Sequence, residues 1–270
     1  MNPVIFNIGN FELRWYSVLI AIAVIIGYAM IMSESKRFKI KKEFMFNMMF
    51  WTLIFAIIGA RLYFVVFNLE YYSSNIAEIF QVWKGGLAIH GGLLFGAITI
   101  IIYCKKYKVR VGKILDIIVP PLLLGQAIGR WGNFFNSEAY GSIVTYQQLV
   151  NMKIIPQFII DNMFINGSYH LPMFYFESLW CLLGFFISLF LRRRKYIKDA
   201  QLVAFYMMWY GAARFVIETF RTDALLFNGI RVARVVSVLM FIAGLIIQFI
   251  QSRKPKLDEL YNKAEEEVKF

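Results

Sequence analysis

Four side chains in the last third of the chain have the spacing of a binding stripe. Tyr210, Arg214, Glu218 and Arg221 stand 4, 4 and 3 residues apart, so at 3.6 residues per turn they stack on one face of a helix. A guanidinium offers a planar fork of N–H donors that fits phosphate oxygens and stays charged, so the stripe suits an anion such as phosphate. An Arg214–Glu218 pair that only neutralises itself would show the same spacing; Arg221, left over on the stripe, favours binding. A second polar run is Gly129-Arg130-Trp131-Gly132-Asn133-Phe134-Phe135-Asn136-Ser137-Glu138-Ala139-Tyr140-Gly141. Arg130 and Asn133 share a face if the helix continues, and Asn136, Glu138 and Gly141 crowd the turn beyond. A capped helix end explains Gly141 or Asn136 singly, and so dense a run less well. His90 begins another apolar segment, and an imidazole with an ordinary pKa of about 6.5 exchanges protons near neutrality. Its alternative is a neutral, hydrogen-bonded histidine at a helix start.

The elements that must position these groups are membrane spans. Apolar residues make up 59% of the 270-residue chain and charged ones 17%, with mean hydropathy +0.58. A soluble domain is nearer half apolar and a quarter charged. Seven segments approach the roughly 20 apolar residues that cross a bilayer: 15–32, 44–67, 85–103, 114–131, 171–191, 200–220 and 232–250. Residues 68–84 are too polar to span and read as an interfacial arm. Residues 132–170 form the one long connection, a small head between spans four and five, and 253–270 form a tail. The expected fold is an all-α integral membrane protein, one membrane domain over 1–270. Nothing in Met1 to Phe11 has the pattern of a cleaved signal peptide.

The net charge of +12 is an inner-leaflet signature, not a nucleic-acid patch. Twenty Lys and Arg lie in the 33–43, 104–113 and 192–199 connections and the tail, against five (Arg14, Lys84, Lys153, Arg221, Arg231) on the other side. The positive-inside rule places the N-terminus outside and the C-terminus in the cytoplasm, which seven spans also require. The four remaining arginines, Arg61, Arg130, Arg214 and Arg234, then lie near the outer ends of spans, as do His90 and Glu177. A single arginine there can snorkel; four with a histidine and carboxylates suggest a site, or else a structural ion-pair network. Cys104 and Cys181 fall in apolar runs without metal-ligand spacing and read as small packing residues, Cys181 about 15 Å into its span.

The Gly129–Gly141 run resembles the signature of the prolipoprotein diacylglyceryl transferase family, G-R-x-G-N-F-x-N-x-E-x-x-G, at every specified position. His90-Gly91-Gly92, Tyr210-Gly211 with Arg214 and Glu218, and Arg14-Trp15-Tyr16 match other family motifs. The likeness runs in order from Arg14 to about Ser237. Two segments depart from the pattern: Pro172-Met173-Phe174-Tyr175-Phe176-Glu177 lacks the family's threonine and tyrosine, and Arg231-Val232-Ala233-Arg234 ends in arginine where the family usually has glutamine.

The resemblance implies a bacterial plasma-membrane enzyme with its site at the outer leaflet. It implies phosphatidylglycerol as donor, the lipobox cysteine of a prolipoprotein signal peptide as acceptor, and release of glycerol phosphate. His90 would serve as base, Arg130 and Arg214 would hold the phosphate, and Glu218 with Glu138 would orient them. Tyr16 and Asn133 would hydrogen-bond the headgroup. Gly91, Gly92 and Gly141 would allow close backbone approach. Arg61, Asn136, Tyr210 and Arg221 would complete the substrate site. No motif suggests a metal or other cofactor. A transporter or channel for an anionic or lipid substrate is the competing reading. It predicts polar residues through the whole membrane depth, whereas here the inner halves of the spans are nearly free of charge apart from Asp116.

Overall fold

A computed structural model of the chain describes residues 2–8, 11–82, 85–220, 226–227 and 230–263, with backbone alone for residues 8, 11, 89, 90, 226, 227 and 230. Each segment expected to span is helical. In chain order the long helices and their connections are α1 (Trp15–Arg37), α2 (Lys42–Val66), the short α3 (Leu69–Ser74), α4 (Ile89–Lys106), α5 (Val111–Phe135), the short α6 (Tyr146–Asn151) and α7 (Gln157–Asp161), then α8 (Met173–Leu191), α9 (Gln201–Phe220) and α10 (Val232–Arg253). Among the described residues α1, α2, α5, α8 and α10 are long and apolar enough to cross a membrane. The chain is thus a multi-pass membrane protein. The polar stripe of α9 lowers its hydropathy, and α4 has only 18 residues.

Among the described residues the strands lie at the N-terminus and in connections, where backbone groups outside helices need partners. They are an N-terminal hairpin of β1 (Val4–Ile8) and β2 (Phe11–Arg14), a sheet ordered β3-β5-β4 from β3 (Ile143–Val144), β4 (Phe164–Ile165) and β5 (Ser168–His170), and a pair of β6 (Leu226–Phe227) with β7 (Ile230–Arg231). The all-α expectation missed them because two- and three-residue strands leave no periodic trace.

The chain divides into two compact units, residues 1–31 with 115–262 and residues 32–114 with 263–270. In the first unit, α1 lies antiparallel along α5 on small residues. Ala23 is 3.8 Å from a Cβ built at Gly125, Ile20 3.7 Å from one at Gly129, and the Tyr16 ring lies directly over Gly132. Without a hydrophobic drive between helices in lipid, such small-residue seams are how they approach. The glycines of the sequence signature therefore have a packing duty. α8 and α9 are joined by stacked Trp180 and Trp209 (4.2 Å between centroids), each indole N–H donating to the other's carbonyl at 3.1 Å. Residues after α5 fold back as a small module whose own core holds Phe134, Leu149, Ile155, Ile159 and Phe174. Thr145 and Gln148 form a reciprocal capping box at the start of α6.

Asp116, the charge that stood out in an inner half-span, is buried on α5 and accepts from the backbone N–H of Val203 at 2.9 Å. It caps the first turn of α9, where free N–H groups and the helix dipole favour an anion. The described part of the tail, as far as Tyr261, is docked as well. Buried Lys198 donates to the carbonyls of Lys254 and Pro255, and the wholly buried Tyr261 donates its N–H to Ile197 at 2.9 Å.

In the second unit α2 and α4 pack antiparallel. A Cβ at Gly91 would overlap the carbonyl of Gly59 and come 2.5 Å from Tyr63 Cβ. At Gly92 the nearest atom, Ala56 O, is 3.4 Å away. Gly91→Ala should therefore force α4 off α2 and cost about 1–3 kcal/mol, while Gly92→Ala is nearly silent. Thermal melting of the purified variants in detergent checks this; equal midpoints would dissolve the packing account.

Candidate functional site

In the first unit three helices bring two arginines and two carboxylates together. Arg130 comes from the last turns of α5, Glu177 from the second turn of α8, and Arg214 and Glu218 from one face of α9. Arg130 Nε lies 2.5 Å from Glu177 Oε2. Arg214 Nη1 is 3.7 Å from the other oxygen of the same carboxylate, and Arg214 Nη2 is 2.9 Å from Glu218 Oε2. Both carboxylates are buried, at 6% and 2% exposure, while the arginine side chains keep 20%. The Arg214–Glu218 approach is an ion contact without hydrogen-bond geometry. Neither Arg214 Nη1 nor Glu218 Oε2 has a hydrogen-bond partner among the described residues, although both atoms are buried.

The four groups sum to no net charge, which lets them sit among apolar helices, where removing one partner of a buried pair costs about 3–5 kcal/mol. Yet the pairing is incomplete at Arg214. An anion with several oxygens could take up that free N–H, and the partly exposed arginines are the members it would reach. Glu177 is the residue sequence reasoning under-used. Sequence alone puts it near the outer end of its helix, and its signal is a carboxylate inside an aromatic, apolar run.

A polar column continues along the same helices. Gln126, one turn before Arg130 on α5, donates to the Tyr206 hydroxyl at 2.8 Å, and the Tyr206 and Tyr210 rings stack at 5.7 Å. Cys181 Sγ lies 4.0 Å from Gln126 Oε1, one turn below Glu177. The thiol is thus one helical turn from the charged cluster, and it is buried.

The signature turn at the end of α5 is tied to itself. Asn133 Nδ2 and Asn136 Nδ2 donate to one oxygen of Glu138, at 2.9 and 3.2 Å. Glu138 thus orients two asparagine amides, where an arginine was expected. Gly141 is close-packed, but against protein. Its N–H donates to Leu171 at 2.9 Å, a Cβ there would come 2.7 Å from Met173 Cγ, and its carbonyl accepts from His170 Nδ1 at 2.9 Å. The glycine joins the signature turn to the start of α8. His170 is a buried strut of that junction, its ring tilted against Tyr140 with 4.4 Å between centroids.

Arg61, Gly91 and Gly92 belong to the second unit, as does the backbone of His90 in the first turn of α4. The His90 side chain and all of Arg221 lie outside the described residues. Arg61 is the clearest departure from expectation. Its guanidinium is buried and donates to the carbonyls of Glu78, Ile79, Gly85 and Gly86, the last three at 2.8, 2.8 and 2.9 Å, and stacks over Tyr72 at 5.2 Å. With its donors spent on main chain it staples the arm, formed by α3 and the 3-10 turn Ile76–Phe80, to α2. Gly91, and to a lesser degree Gly92, serve the α2–α4 contact described above. Arg61→Lys keeps the charge but loses the fork; amide exchange over residues 76–82 should quicken by tenfold or more, given a loss of at least ~1.4 kcal/mol. Unchanged protection there would contradict the staple.

Arg231 donates to the Glu218 carbonyl, and Arg234 Nη2 to Thr219 Oγ1 at 2.7 Å. Both close the C-terminal end of α9, where unsatisfied carbonyls favour cations.

The model of the prolipoprotein diacylglyceryl transferase family matches residues 3–250. Curated relatives carry the name phosphatidylglycerol–prolipoprotein diacylglyceryl transferase. That of Staphylococcus saprophyticus is 41% identical over 98% of this chain and 94% of its own. One from Streptococcus pneumoniae is 42% identical over 94% and 95%, and that of Staphylococcus carnosus 44% over 91% and 88%.

Proposed function

Because the chain belongs to the prolipoprotein diacylglyceryl transferase family, we propose that it transfers the diacylglyceryl group of phosphatidylglycerol to the cysteine thiol of prolipoproteins. The observation that carries a role for this chain's own residues is the arginine pair gathered on Glu177, with one buried N–H of Arg214 left unpartnered. In the reaction the cysteine loses its proton, the thiolate attacks the glyceryl carbon, and a carbon–sulfur bond forms as the carbon–oxygen bond to phosphate breaks. The electron pair leaves with glycerol phosphate. Arg130 and Arg214 bind the phosphate and meet the charge that gathers on it, a task fixed donors perform best in a dry site. Glu177 and Glu218 keep both guanidiniums in place while the site is empty. His90 accepts the thiol proton. Tyr16, Tyr210 and Arg221, with the Asn133–Asn136–Glu138 turn, border the headgroup.

In this reading the chain has seven spans, with the N-terminus outside and the C-terminus in the cytoplasm. The site then opens to the outer leaflet, where the small head and the lipobox peptide meet. The gathering of Arg130, Glu177 and Arg214 at the helix ends that adjoin the weakly basic connections supports that sidedness, and it disfavours a transporter.

The test is chain reconstituted in phosphatidylglycerol vesicles and given a lipobox peptide. Glycerol phosphate should appear only with the cysteine peptide and not with its serine counterpart. Release without any peptide, with free diacylglycerol as the other product, would make the chain a phospholipase C-type hydrolase instead. Glu177→Gln should lower kcat about tenfold, with KM for phosphatidylglycerol little changed, because a mispositioned fork loses its transition-state geometry before its charge. Parental kcat would remove Glu177 from the positioning role.

A further inference from the structure

The second unit carries a groove that the transfer reaction does not use. It runs between α2 and α4 and encloses about 680 Å³, within the range of about 300–1,000 Å³ typical of small-molecule sites. Asn47, Trp51 and Phe55, one stripe of α2, form one wall; Phe95, Ile102 and Lys106 of α4 belong to the other. The hydroxyls of Thr52 and Thr99 are turned to carbonyls of their own helices, at 2.7 and 2.8 Å, which leaves the walls mostly carbon.

The groove is polar at one end only. Phe44, at the start of α2, packs on Tyr103 and Tyr107 at the end of α4, with ring centroids 5.2 and 5.8 Å apart, so the antiparallel helices bring their basic termini to the same end. Lys41 and Lys42 begin α2, and Lys105 and Lys106 finish α4. Lys106 Nζ sits 5.4 Å over the Tyr107 ring beside the half-buried amide of Asn47. From Phe95 to Lys106 the groove spans 11 residues, about 17 Å of helix, close to the roughly 15 Å of hydrocarbon in one leaflet.

We infer that this groove is a binding site for an anionic phospholipid, its acyl chain along Trp51, Phe55 and Phe95 and its phosphate at Lys106 and Asn47. Three features choose that occupant: an apolar channel one leaflet long, cations at one mouth and, among the described lining residues, none at the other, and an amide donor at the phosphate level. A neutral lipid would leave the lysines unused, and a second copy of this chain would set like charges against each other. The site lies on helices that contribute neither Arg130 nor Arg214; α4 carries His90 in its first turn, at the end away from Lys106, and the test reads lipid quenching, not transfer. The inference therefore stands or falls apart from the transfer activity.

The test reads quenching by phospholipids brominated on the acyl chain, added to purified chain in neutral detergent. The Trp51 contribution is the part of the signal that Trp51→Phe removes. Brominated phosphatidylglycerol should quench it at about fivefold lower concentration than brominated phosphatidylcholine, the ratio one lysine near a lipid phosphate supports. Lys106→Glu should bring the two lipids level and Lys106→Arg should keep the preference, with both variants melting like the parent. Equal quenching by the two lipids in the parent would reduce the groove to ordinary lipid-facing surface. A preference that survives Lys106→Glu would overturn the headgroup assignment. Absence of Trp51 quenching, with a cross-linked dimer through α2, would give the groove to a second copy.

Discussion

Arg214→Lys is expected to lose transfer activity almost as completely as Arg214→Ala, by about 10²–10³-fold in kcat/KM, the range seen when one donor to a developing anion is removed. A charge-only role predicts the opposite, since lysine keeps the charge. The reason lies in what the guanidinium does in the cluster. One arm reaches Glu218 at 2.9 Å while the other points towards Glu177 at 3.7 Å without a hydrogen bond. A planar fork can hold its carboxylate and offer its second arm to phosphate at once; an ammonium has one nitrogen and must choose. Steady-state rates with the lipobox peptide decide it. Arg234→Lys makes the control, since Arg234 binds Thr219 at the end of α9, and a several-fold loss at most is expected there. Recovery of half the activity in Arg214→Lys would show that only net charge matters at this position.

His90→Asn should insert and melt like the parent yet lose about 10²-fold or more in kcat, the usual contribution of a positioned base. Asparagine keeps a hydrogen-bonding side chain of similar size, so a histidine that merely caps α4 would tolerate it. The distinguishing readout is pH. A base that titrates near neutrality makes the parental rate fall as the pH drops below its pKa, and the variant's residual rate should lack that limb apart from the thiol's own ionisation. Parental activity in His90→Asn would pass the proton to water or to another residue.

How much of this was readable beforehand depends on periodicity. The long helices announce themselves through 18 or more apolar residues, and the α9 stripe through its 4, 4, 3 spacing. Arg130, Arg214 and Glu218 do meet. What spacing along one helix cannot give is a partner on another. Glu177 joins Arg130 to Arg214 across α5, α8 and α9, and Asp116 caps α9 from α5. Arg61 shows a related limit of spacing. An intramembrane arginine must be satisfied, but sequence does not say whether by a ligand or by main-chain carbonyls, and here four carbonyls take it. The close approach expected at the glycines is seen here within the chain: Gly91 lies against Gly59, and Gly141 against Leu171 and Met173.

The central claim is that diacylglycerol passes directly from lipid to the substrate thiol at the arginine cluster. Cys181, buried one turn below Glu177, is the group that could contradict it, since covalent catalysis needs a nucleophile beside the reacting centre. The decisive measurement is intact-mass analysis of a lipobox peptide and of the enzyme after reaction of Cys104→Ser, Cys181→Ser chain in phosphatidylglycerol vesicles. The account predicts one diacylglyceryl group per peptide, one glycerol phosphate released for each, a rate close to the parent's, and no mass gain on the enzyme. An inactive but properly inserted double variant, with a diacylglyceryl adduct trapped on a cysteine of the parent, would contradict it.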